Sequence, residues 1–77
     1  MINLKYARRQ AYRYGRTLGQ LSDQQSDIRP HLTAWMRFLD QFSNLEDCAT
    51  VQKYLTDSFD IGVEGDSTTD KAYGYVL

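Results

Sequence analysis

Between residues 4 and 21, Leu4, Ala7, Ala11, Tyr14, Leu18 and Leu21 recur with a 3-4-3-4-3 spacing. At about 100° per residue these positions share an arc of roughly 100°, the apolar stripe of a helix with one face turned to a core. No strand accommodates that period, because alternate strand residues point to opposite sides. The same segment carries Lys5, Arg8, Arg9, Arg13 and Arg16, with Tyr12 among them, opposite the stripe. A two-faced first helix, apolar inward and cationic outward, is the feature to which everything else must conform.

Its last turns contain Gly15 and Gly19. Glycine weakens a helix interior by about 1 kcal/mol relative to alanine. It also permits another backbone to approach closely, but fraying is the simpler expectation. Ser22 to Asp27 is polar and aperiodic and reads as a connection. Ser26 or Asp27 is suited to cap a second helix with Pro30 in its first turn, where a missing N–H costs little. Leu32, Trp35, Met36, Leu39 and Phe42 then follow at helical spacing, with Phe38 alongside. Ser43 and Glu46 have capping-box spacing for a third helix, which turns Cys48, Val51, Leu55 and Phe59 inward and leaves Tyr54 at the edge. The short turn between helices two and three predicts an antiparallel pair.

Beyond Phe59 the period changes. Ile61 and Val63 alternate with other residues, and Tyr73, Tyr75 and Leu77 are spaced by two across a turn-like Gly65–Asp70. The expectation is a β-hairpin docked on the helices, with a flexible tail as the alternative, since an isolated hairpin is marginal. The fold class is therefore mainly α, a three-helix bundle with a C-terminal β-hairpin or tail. One domain spans residues 1–77, with helices over about 3–21, 28–42 and 44–58 and the hairpin or tail over 60–77.

Size explains why aromatic residues matter. A 77-residue domain buries only about 60–65% of its unfolded surface. Six Tyr, three Phe and one Trp compensate by the area each removes from water. A single cysteine supplies no internal staple, which favours a reducing compartment. With no leader-like or membrane-length apolar run, a cytoplasmic, non-membrane protein is expected.

The candidate chemistry is sparse. One His and one Cys exclude the usual zinc sites within a single chain. A calcium loop beginning at Asp57 places Gly62 correctly but puts Phe59 and Ile61 where oxygen ligands belong. Cys48 is expected on the apolar face and His31 at an exposed helix start, so they do not make a nucleophile pair. No catalytic residue, metal or other cofactor is assigned, and a non-enzymatic protein is expected.

Charge is the informative property. Net charge is −1, yet residues 1–20 carry +5 and residues 21–77 carry −6. The cationic face, comprising Lys5, Tyr6, Arg8, Arg9, Tyr12, Arg13 and Arg16, is the candidate partner-binding site. Arginine forks match carboxylates and phosphates, and tyrosine adds contact area. The alternative is a solvated face whose arginines pair with acidic groups of the same chain. Asp57, Asp60, Glu64, Asp66 and Asp70 form a secondary acidic surface, or simply keep the tail solvated. A helix-turn-helix reader is disfavoured because Glu46 and Asp47 occupy the end that would enter the groove.

In size, aromatic richness and lack of catalytic parts the chain is similar to small phage- or plasmid-encoded accessory proteins. That likeness implies a stoichiometric protein-interaction module or inhibitor, blocking a host nucleoprotein or defence complex such as a CRISPR effector. The partner would be an acidic protein surface or a nucleoprotein complex. Alternatives are a small nucleic-acid-binding or regulatory protein using the same basic face, and a homodimeric structural subunit.

Overall fold

The computed structural model describes residues 3–74. Four helices follow in order, α1 (Leu4–Asp23), α2 (Arg29–Asp40), α3 (Cys48–Val63) and α4 (Ser67–Ala72). The protein is mainly helical, as the periodicity requires.

Asn3 starts α1 by accepting the N–H of Tyr6 at 3.1 Å. The helix ends in a Schellman motif, with Ser26 N–H donating to the Leu21 carbonyl (2.9 Å) and Gln25 N–H to that of Ser22 (3.0 Å). Gln25 takes the left-handed position with φ 57°. Asp27 accepts the N–H of Arg29 at 3.0 Å and so organises the entry to α2.

Two expectations about helix ends are corrected. The capping box of Ser43 and Glu46 does not form; the Ser43 hydroxyl instead donates to the Asp40 carbonyl at 2.7 Å. Phe42 is buried and Leu45 packs against the core, so the turn is pinned by its own apolar residues. A helix beginning at 44 would break that anchoring, and α3 begins at Cys48. At its other end α3 continues through Ile61 to Val63, the residues expected to open a strand.

The expected β-hairpin is likewise not observed. Among the described residues there is no strand, and residues 67–72 form a helix. The reason is local. Asp66 accepts the N–H groups of Thr68 and Thr69, while the Thr69 hydroxyl accepts the N–H of Asp66, a reciprocal capping box. Gly74, with φ 67°, terminates this last helical segment. The Tyr75 and Leu77 positions of the expected second strand lie outside the described residues.

The dominant backbone packing is between α1 and α3; α2 and α3, expected to pair, meet through side chains, with Trp35 on Phe59. Gly15 lies against the Phe59 backbone, Gly19 against that of Val63, and Gly62 against Tyr12 and Arg16. The first two contacts advance together along both helices, so α1 and α3 run in the same direction. A Cβ at Gly15 or Gly19 would fall on a carbonyl oxygen of α3. Close approach, rather than fraying, is what these glycines provide.

Helix α2 returns antiparallel to α1, with His31 beside Tyr14 and Phe42 beside Ala7. Between the three helices lie Ala7, Ala11, Trp35, Phe42, Leu55 and Phe59. Trp35 stacks on Phe59 with ring centroids 4.4 Å apart, and Tyr14 bridges to Trp35 and Phe38. Leu4 and Met36, expected inside, are 41% and 68% exposed.

Candidate functional site

The cationic face of α1 is divided by α4. After a short turn the chain doubles back along α1, and α4 settles on the side expected to face solvent. Tyr12 is fully buried there. Its ring stacks on Tyr73 at 4.4 Å with an interplanar angle of 10°. Its hydroxyl donates to the Asp70 carboxylate and lies 2.9 Å from the Thr69 hydroxyl. Arg16 clamps the same carboxylate through two bonds, Nε to Oδ1 at 2.9 Å and Nη2 to Oδ2 at 3.0 Å. Arg8 covers the Tyr73 ring, with Cζ 4.0 Å from the centroid.

The electrostatics follow from this geometry. The Arg16 guanidinium, with help from the Tyr12 hydroxyl, holds the Asp70 carboxyl below its ordinary range despite burial. Burial, reinforced by the hydrogen bond to an anionic Asp70, pushes the Tyr12 phenol up. The arrangement is a charge-assisted clasp that fastens the last helix to the first.

Tyr12 therefore does not belong to an exposed contact face, because its ring is the seat on which α4 rests. Arg8 and Arg16 are half-buried by their interactions with Tyr73 and Asp70. Lys5, Tyr6, Arg9 and Arg13 are exposed, Tyr6 to 61%. The proposed acidic surface is divided too. Asp57, Asp60 and Glu64 are exposed along α3 and at its end, Asp66 caps α4, and Asp70 is buried in the clasp. Opposite charges within one chain meet at Arg16 and Asp70, as the intramolecular alternative anticipates.

Beside the exposed residues lies a groove of about 220 Å³ between α1 and the start of α2, lined by Gln10, Arg13, Tyr14, Thr17 and His31. His31 is half-buried, not fully exposed as expected. Its Nε2 donates to the Tyr14 carbonyl at 2.6 Å, since a carbonyl only accepts. This fixes the imidazole against the Tyr14 ring, with centroids 5.4 Å apart. Gln10, Arg13 and Thr17 share one side of α1 by their spacing of three and four. Sequence reading missed Gln10, Tyr14, Thr17 and His31 as a group. Only the antiparallel register of α1 and α2 brings His31 to Tyr14.

Cys48 is half-buried at the start of α3. His31 occupies the other end of α2 and points its Nε2 at α1, so the two do not form a pair. No described helix is long and apolar enough to cross a membrane. Among the described residues no three side chains of metal-binding type come together. No family model, curated protein or solved structure matches this chain.

Proposed function

We propose that the protein is a non-enzymatic protein-interaction module of the stoichiometric inhibitor type, whose contact surface is the outward strip of α1. The observation that carries this reading is the exposure of Lys5, Tyr6, Arg9 and Arg13 on one rigid helix. Two arginines and a lysine steer an acidic partner during encounter, and arginine and tyrosine are the side chains that most often dominate interface energies. The helix is held from behind by α3 through glycine contacts and from the side by α4, so the strip is presented with little freedom to lose on binding.

An acidic protein surface suits the strip better than a nucleic acid. Asp57, Asp60 and Glu64 are exposed along α3 and at its end, and a long phosphate backbone must avoid them, whereas a compact acidic patch need not. The test is capture of partners from host lysate with and without nuclease, comparing the wild type with Arg9→Glu plus Arg13→Glu. The double variant is expected to keep its helical circular dichroism and to lose a nuclease-resistant protein partner. Unchanged capture would remove the strip from consideration, and a partner lost on nuclease treatment would favour the nucleic-acid reading.

A further inference from the structure

We infer that the groove between the start of α1 and the end of α2 receives an aromatic side chain of the partner, while acidic residues flanking that side chain in the partner engage Lys5 and Arg9. The inference deepens the proposed function and rests on it, since Tyr6 belongs both to the exposed strip and to the rim of this groove.

The groove is an extension of the core to the surface. Its floor is Ala7, Phe38 and Phe42, and its exposed rim is Asn3, Tyr6 and Gln41. Ala7 and Phe42 are buried members of the core, and Phe38 meets Phe42 edge to face with centroids 5.4 Å apart. The floor is therefore fixed before a partner arrives, which lowers the ordering cost of binding. Ala7 contributes only a methyl group to the α1 wall, which leaves room in front of the rings. At about 220 Å³ the groove is smaller than the roughly 300–1,000 Å³ of small-molecule and cofactor sites, and suits one side chain.

Three of the six lining residues carry rings, and aromatic pairs gain more than their buried area alone provides. A single exposed ring is ordinary on a protein surface. Tyr6 differs because it is 61% exposed and continues an apolar floor, the arrangement that marks an interaction surface.

Charge selects the kind of segment that carries the guest ring. No charged residue lines the groove itself. Arg9 lies one turn beyond Tyr6 on α1, and Lys5 one turn before Arg9, so the three are surface neighbours. Lys5 and Arg9 are exposed, and among the described residues neither takes part in an ion pair. Arg8 and Arg16, in contrast, are engaged by Tyr73 and Asp70. The groove of Thr33, Met36, Arg37 and Asp40 lacks such a bias, because it carries a cation and a carboxylate of its own.

The test titrates three capped peptides into the full chain at low salt, followed by chemical shifts. Their sequences are Glu-Glu-Phe-Glu-Glu, Glu-Glu-Ala-Glu-Glu and Lys-Lys-Phe-Lys-Lys. The acidic Phe peptide should bind about tenfold more tightly than the acidic Ala peptide, the effect of burying one ring. The basic Phe peptide should bind more weakly than the acidic one. Tyr6→Ala should weaken the acidic Phe peptide about fivefold and leave the acidic Ala peptide unchanged. Lys5→Glu plus Arg9→Glu should weaken both acidic peptides. Met36→Ala, an exposed apolar change on the outer side of α2, should affect neither. A nuclear Overhauser effect between the peptide ring and the Ala7 methyl group locates the guest without any variant, should Tyr6→Ala disturb the fold.

Equal affinity for the two acidic peptides, both weakened by Lys5→Glu plus Arg9→Glu, would overturn the groove and leave the strip standing. No saturable shift with any peptide would overturn both. Equal binding of the acidic and basic Phe peptides would overturn the acidic character of the guest segment. A doubled mass in light scattering of the free protein, reversed by Tyr6→Ala, would assign the groove to a second copy of the chain and overturn the proposal.

Discussion

Gly15 and Tyr12 show how a single position acquires a meaning that its residue type alone does not carry. By helix propensity, Gly15→Ala should stabilise α1 by about 1 kcal/mol. The Phe59 carbonyl occupies the space its Cβ needs, so the substitution must instead part α1 from α3. The expected outcome is a net loss of about 1–3 kcal/mol, measured as a lower urea midpoint. Tyr12→Phe keeps the stack on Tyr73 but removes the hydroxyl shared by Asp70 and Thr69, and should cost about 1 kcal/mol. The pair also sets a pH window. Asp70 titrates lower in the fold than its unstructured value of 3.8, so its contribution is present above that pH and is lost as pH falls through the folded value. Tyr12 titrates above 10.0, so its contribution holds below pH 10 and fades as pH rises from there through the folded value. Stability measured against pH should therefore decline at both extremes, and Asp70→Asn should flatten the acid limb.

At the scale of helices, the ends decide more than the interiors. Gln25 holds the left-handed residue of the Schellman motif without being glycine. Gln25→Gly should raise stability by about 0.5–1 kcal/mol, readable as an upward shift of the thermal midpoint. Helix α4 has six residues, too few to persist unaided, so its order comes from the Asp66 capping box and from the clasp with α1. Asp70→Asn should accelerate amide exchange in α4 while leaving the centres of α1 and α3 nearly unchanged. Equal acceleration in all three would show that α4 is not a separately fastened element.

These same elements separate what was legible in the sequence from what was not. The stripe through Ala7, Ala11, Tyr14 and Leu18 located α1, and Trp35, Leu55 and Phe59 were recognisable as core because large apolar residues at helical spacing have few other uses. The last turn of α3 and all of α4 are not legible in this way. Ile61 and Val63 flank Gly62, which packs on α1, so an alternating pattern arose from a helix with a glycine contact rather than from a strand. The capping signal in Asp66 and Thr69 is faint, because threonine stands in place of Glu or Gln at the third helical position. Tyr12 reads as outward because one helix considered alone has only one apolar stripe. A second covering element, invisible to local periodicity, buried the opposite side. The groove was illegible for a related reason, since Gln10 and Thr17 are ordinary surface residues until α2 brings His31 beside Tyr14.

Across the whole molecule, stability rests on a small aromatic centre and one tight helix crossing. For a chain of 77 residues the expected total is about 4–12 kcal/mol. Trp35→Ala removes a ring buried against Phe59, a change that costs about 3–5 kcal/mol, a large part of that total, and should lower the urea midpoint steeply. Trp35→Phe should be far milder, and circular dichroism with urea distinguishes the two. The division of labour on α1 operates at this scale as well. One flank fastens the last helix, the glycine ridge packs on α3, and the remaining strip of Lys5, Tyr6, Arg9 and Arg13 faces outward. The most direct measurement of that division is the nuclear Overhauser effect between the ring protons of Tyr12 and Tyr73 in solution. Stacked rings with centroids 4.4 Å apart should give strong cross-peaks that weaken in Asp70→Asn. Absence of those cross-peaks, together with a freely exchanging Tyr12 hydroxyl, would contradict the clasp and return Tyr12, Arg8 and Arg16 to the exposed face.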